Sequence, residues 1–130
     1  MNGDPVIIFV CEHGAAKSIV AAGYFNQLAR ELNLKLHAIA RGTNPDREFS
    51  PIAIDGLRRD GMDVPEGAPI ELTREDVVIA QQIISFCELP EHYNIAQYEK
   101  WDDIPPVSEN YDITRDRIVT KLRIIIKAMN

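Results

Sequence analysis

Two cysteines in 130 residues are too few for a disulfide framework. Neither stands at a ligand spacing from His13, His37 or His92, so no zinc site is expected. No apolar run is long enough to span a bilayer, and the stretch Met1 to Pro5 lacks the layout of an export signal. Basic residues are the minority, with 14 Lys and Arg against 20 Asp and Glu and a net charge of −6. With no basic stripe either, these features argue against nucleic-acid and membrane partners. Internal repeats and low-complexity segments are absent. The composition is that of an ordinary globular chain. One domain over residues 1–130, placed in the cytoplasm and working without cofactor or metal, is expected.

One stretch carries chemistry. Residues 6–18 read V-I-I-F-V-C-E-H-G-A-A-K-S. Val6 to Val10 is a short continuous apolar run of the kind that forms a strand covered on both faces. Gly14, Ala15 and Ala16 are small enough for the backbone to curl and aim several N–H groups at one point. Ser18 opens a helix predicted over Ile19 to Leu32, with Val20, Tyr24, Leu28 and Leu32 in one apolar stripe flanked by Ala21 and Phe25. The free N–H groups and positive dipole end of that helix face the loop, and together they make an anion site. Cys11 stands at its mouth. The helix end and Lys17 suit a negatively charged sulfur, and Ser18 can donate a hydrogen bond to it. The chemistry this pattern points to is nucleophilic attack on an oxyanion held by loop amides.

The rest of the chain alternates strands and helices. A second strand is predicted over Lys35 to Arg41, closed by Gly42 and Thr43, with His37 on its exposed side. Ser50-Pro51 starts a helix to about Asp60, ended by Gly61, with Ile54 and Leu57 inward and Arg58 and Arg59 solvated. Met62 to Pro69 reads as a loop. Thr73 and Asp76 cap a short helix through about Ala80. A third strand is predicted over Gln82 to Phe86 and a fourth within Ile95 to Trp101. Thr114 is read as the cap of a last helix, Arg115 to about Ala128, with Ile118, Leu122, Ile125 and Met129 on its apolar face. Four strands and about five helices in this alternation imply an α/β fold, a parallel sheet between two helix layers.

The loop from Cys11 to Ser18 resembles the phosphate-binding loop of low-molecular-weight protein tyrosine phosphatases and the related thioredoxin-coupled arsenate reductases. Their pattern is C-x-x-x-x-x-R-[ST] directly after the first strand; here it is C-E-H-G-A-A-K-S. Lys17 replaces the arginine, a point charge in place of a planar fork. Gly14 stands where the family usually has an asparagine in a strained conformation. The resemblance implies a three-layer flavodoxin-like sandwich with strand order 2-1-3-4. It implies Cys11 as nucleophile and Glu12, His13, Gly14, Ala15, Ala16, Lys17 and Ser18 as the oxyanion cradle. Asn44, Pro45 and Asp46 occupy the place of an aromatic wall, for which Phe49 is the nearby substitute.

The family's Asp-Pro proton donor has no direct counterpart. Asp102-Asp103 precedes Pro105-Pro106, which makes Asp103 the first candidate and Asp102 the second. Glu12 and His13 are alternative proton carriers. Cys87, at the end of the third strand, matches a resolving cysteine of the reductases, but no further cysteine follows it before Trp101. Three readings follow. The leading one is a phosphatase that forms a phosphocysteine on a phosphorylated small molecule or protein. The second is arsenate reduction with Cys87 or an external thiol reductant. The third is an oxyanion-binding module with little catalysis.

Overall fold

The apolar run of Val6 to Val10 becomes the centre of the sheet. In the computed structural model, which describes residues 5–129, it forms β1 (Val6–Cys11), and Ile7, Ile8, Phe9 and Val10 are fully buried. β2 (His37–Gly42) and β3 (Ala80–Ser85) flank it, both parallel to it, and the short β4 (Glu99–Lys100) pairs with β3. The strand order is β2-β1-β3-β4, as expected.

Side chains alternate across a strand, so β1 feeds two cores. Ile7 and Phe9 pack with Phe25 of α1 (Lys17–Glu31), Leu57 of α2 (Pro51–Arg59) and Leu122 of α4 (Tyr111–Met129). Ile8 and Val10 pack on the other face with Leu72, Ile83, Leu89 and Tyr93, and Val77 of α3 (Arg74–Ile79) closes over them. Burying a side chain such as Phe9 completely contributes about 1.5–3 kcal/mol. The single tryptophan, Trp101, is buried just beyond β4, with Phe86 edge-on at 5.8 Å and Phe9 at 6.0 Å between ring centroids.

The caps follow the sequence. Ser50 accepts from the Ala53 amide at the start of α2, and Thr73 and Asp76 cap each other's backbone at the start of α3. Among the described residues there are four α-helices and one 3₁₀ turn (Glu91–Tyr93), in line with the about five helices expected. The fourth strand lies within Ile95 to Trp101 and is two residues long. One expectation needs correction. The last helix starts at Tyr111, one turn before Arg115. Asn110 is its cap: its side-chain oxygen accepts from the Ile113 amide at 3.2 Å. Thr114 is buried inside the first turn and donates to the carbonyls of Pro105 and Pro106 at 3.1 and 3.2 Å. The threonine read as the cap thus serves a loop contact, and the capping residue lies four positions earlier.

Three helices meet at Asp60, which ends α2. Its carboxylate accepts from Tyr24 of α1 at 2.5 Å and from Tyr111 and Arg115 of α4 at 3.0 and 2.8 Å. Burial alone would raise the Asp60 pKa, but the hydrogen bonds from Tyr24, Arg115 and Tyr111 together outweigh it and hold the carboxyl below its usual range. Burial pushes Tyr24 up to about 12, with the hydrogen bond to Asp60 adding to it. The Tyr111 ring lies directly on the backbone of Gly56, where a Cβ would come 2.3 Å from it.

Candidate active site

The loop after β1 is shaped from outside, by its carbonyls. Those of Cys11, Glu12, His13 and Ala15 accept in turn from the amides of Thr43, Asn44, Asp46 and Ser50, at 3.3, 2.7, 3.1 and 2.9 Å. With the carbonyls turned toward residues 43–50, the loop amides face the other way. Among the described residues, the amides of His13, Gly14, Ala15 and Ala16 donate to no protein acceptor. α1 adds its own unpaired first-turn amides, since Ala16 at the N-cap has no side chain to cap them. The result is a concave set of donors at a positive helix end, a geometry suited to an oxyanion.

Two glycines make the curl possible. Gly14 has φ +61°, a left-handed conformation that side chains disfavour. Its backbone also touches that of Gly42, where a Cβ on Gly14 would lie 2.9 Å from the Gly42 nitrogen. β2 is held there in turn by residues 70–72: Gly42 donates to the Ile70 carbonyl at 2.9 Å and accepts from the Leu72 amide at 2.8 Å.

Cys11 ends β1 with only 9% of its surface exposed, and its Sγ lies 3.1 Å from Ser18 Oγ. Ser18, also buried, follows Lys17 at the start of α1, so one turn of helix sets the sulfur's partner. A hydroxyl here can donate to an ionised sulfur and follow it through a reaction.

Lys17 takes a course the sequence did not indicate. Its ammonium donates to the backbone carbonyl of Ile104 at 2.8 Å and lies 6.0 Å from the centre of the Phe86 ring. It therefore ties the start of α1 to the segment that carries the two candidate proton donors. Those two face outward. Asp102 is near Lys100, 3.9 Å away, and Asp103 pairs with Lys121 at 3.3 Å; both carboxylates are mostly exposed. Glu12 and His13 lie on the outer side of the loop, where His13 Nδ1 is 3.2 Å from Asp46. Phe49 is partly buried, packs against the core and lines a groove of about 520 Å³ beside β2.

Cys87 stands beyond the end of β3, on the face opposite the Cys11 cluster, packed near Ile8 and Val10. Ser85 Oγ is 3.5 Å from its sulfur and accepts from its amide at 3.1 Å. Burial pushes the Cys87 thiol up, the Ser85 hydrogen bond pulls it back in part, and the nearby charges of Cys11 and Glu12 raise it further. Both cysteines are free thiols.

Sequence reasoning singles out the loop but not what holds it. The clamp of amides from residues 43–50 has no side-chain signature, because backbone groups make it. A glycine at each strand end, Gly14 soon after β1 and Gly42 closing β2, is the trace it leaves. The described residues contain no cluster of His, Cys, Asp and Glu able to hold a metal, and no helix long and apolar enough to cross a membrane.

No protein-family model matches this sequence, and neither does any curated protein. Solved structures do. YfkJ from Bacillus subtilis superposes with a TM-score of 0.85 at 16% identity, covering 98% of this chain and 96% of that one. A low-molecular-weight protein tyrosine phosphatase from T. tengcongensis gives 0.77 at 19%, covering 95% and 99%. The thioredoxin-dependent arsenate reductase Cg_ArsC1' of Corynebacterium glutamicum gives 0.73 at 18%, covering 98% of this chain and 62% of that one.

Proposed function

We propose, from a chain that has the fold shared by low-molecular-weight protein tyrosine phosphatases and thioredoxin-dependent arsenate reductases, that this protein is a cysteine-dependent phosphatase acting on a phosphomonoester. The observation that carries the reading is the loop of free amides wrapped around Cys11, with Ser18 at 3.1 Å from its sulfur. The Cys11 thiolate attacks phosphorus, the loop amides take the non-bridging oxygens, and the P–O bond to the leaving group breaks. Asp103, or Asp102 beside it, gives the leaving oxygen a proton. Water then attacks the phosphocysteine, the S–P bond breaks, and phosphate and thiolate are released, with the proton returning to the aspartate. Two unpaired cysteines suit the reducing cytoplasm.

Cys87 supports a second reading, arsenate reduction: it is a free thiol just beyond the end of β3, the strand that pairs with β1, which Cys11 ends. There Cys11 attacks arsenic and displaces water. A second thiol, that of Cys87 or an external reductant, then attacks the Cys11 sulfur. As the S–S bond forms, the As–S bond breaks with its electron pair going to arsenic, so the two thiols are oxidised to a disulfide and arsenic leaves as arsenite, the disulfide then being reduced by an external thiol. Turnover of an aryl phosphate by wild type and by Cys11→Ser tests the first reading. Loss of turnover in Cys11→Ser supports it. No turnover in wild type, with phosphate still bound, refutes it and passes the question to a thiol-coupled arsenate assay.

A further inference from the structure

Lys17 occupies the one cationic position of the cradle, yet its ammonium is engaged with a backbone carbonyl 87 residues away in sequence. That carbonyl belongs to Ile104, which is buried and directly follows Asp103. An ammonium has three N–H donors in a tetrahedral array, and the Ile104 carbonyl takes one. The stem runs past Phe86, whose ring packs on Trp101, so the contact sits where α1, the end of β3 and the 101–104 segment converge. A guanidinium fork laid flat on an oxyanion would direct its donors at that ligand. A lysine can serve two acceptors on different sides.

We propose that Lys17 is a bridging residue: one N–H holds the Ile104 carbonyl and another holds the oxyanion in the cradle, so that filling the cradle fixes the 101–104 segment and the two aspartates it carries. This rests on the oxyanion-site reading of the Cys11 loop but does not need turnover. The exposed aspartates otherwise have only surface cations to hold them, Lys100 and Lys121, and such pairs contribute little order. Through Lys17, the ligand itself organises the segment that must act on it.

The test uses inorganic phosphate with the full chain. Calorimetry measures binding, and hydrogen exchange follows the amides of Asp102, Asp103 and Ile104 with and without saturating phosphate. In wild type, phosphate should slow exchange at these amides severalfold. In Lys17→Met, which keeps the stem against Phe86, phosphate should bind more weakly and leave the exchange unchanged even at saturation. Lys17→Leu, which likewise has no side-chain donor, takes its place if the methionine variant does not fold. Binding without slowing in wild type overturns the bridge alone, as does equal slowing in a folded, charge-free variant. No phosphate binding in wild type overturns the oxyanion site and the bridge with it.

Discussion

The backbone of Gly42 is packed so tightly against that of Gly14 that a Cβ on Gly42 would come 2.7 Å from the Gly14 nitrogen. Both neighbours are backbone, so neither can rotate away. Gly42→Ala should therefore push the loop outward, costing about 1–3 kcal/mol in stability. Because the displaced atoms are the proposed oxyanion donors, phosphate affinity should fall by more than the melting temperature suggests. Urea unfolding and phosphate titration of the same variant check this. Unchanged binding beside lowered stability would separate the glycine contact from the cradle.

Asp103 as proton donor makes a prediction about leaving groups. Asp103→Asn should lower kcat by about 10²-fold or more for an alkyl phosphate, and by much less for p-nitrophenyl phosphate, whose phenolate leaves without help. Asp102→Asn should change neither by more than a few-fold. Reversal of the two variants would move the role to Asp102, and equal small effects would remove it from both.

Cys87 distinguishes the two catalytic readings. Cys87→Ser should leave aryl phosphate turnover within a few-fold of wild type. If Cys87 is the second thiol, the same change should abolish arsenate reduction unless an external thiol is supplied. The raised pKa of Cys87 adds a pH signature. In Cys11→Ser, where Cys87 is the remaining thiol, alkylation by iodoacetamide should be slow at pH 7–8 and still rising above pH 9. A plateau below pH 9 would contradict the burial that raises the thiol.

Asp60→Ala should destabilise the protein by roughly 3 kcal/mol at pH 7, because Tyr24, Tyr111 and Arg115 lose a shared charged acceptor. The sign of its pH dependence follows from the depressed carboxyl pKa. The stabilisation is present above the unfolded-state value near 3.9 and disappears as pH falls through the lower folded value. Wild type and variant should thus converge in denaturant midpoint as pH drops below about 4. A constant gap down to pH 2 would show that Asp60 acts through packing.

How much of this was legible in the chain depends on the kind of force involved. The strand Val6 to Val10, the caps at Ser50 and Thr73, and the cysteine loop were readable because each rests on local side-chain chemistry. The strand order came with the resemblance of C-E-H-G-A-A-K-S to a known loop, and the topology agrees with it. What escaped was made by backbone or by distance. The start of α4 was misplaced because Thr114 and Asn110 are both good caps, and only tertiary contact with Pro105 and Pro106 decides between them. The partner of Lys17 is a carbonyl, and every residue has one. Asp60 reads as a surface helix end until Tyr24 and Tyr111 are folded onto it.

Trp101 has a consequence of a different kind. It is the chain's one indole, buried between Phe9 and Phe86, with the Lys121 ammonium 5.6 Å from its ring and its N–H bonded to Glu99. It also directly precedes the two aspartates. The protein therefore carries its own optical label at the edge of the candidate site. Emission excited at the red edge of aromatic absorption reports that one segment, with no dye, no engineered residue and no second tryptophan to subtract.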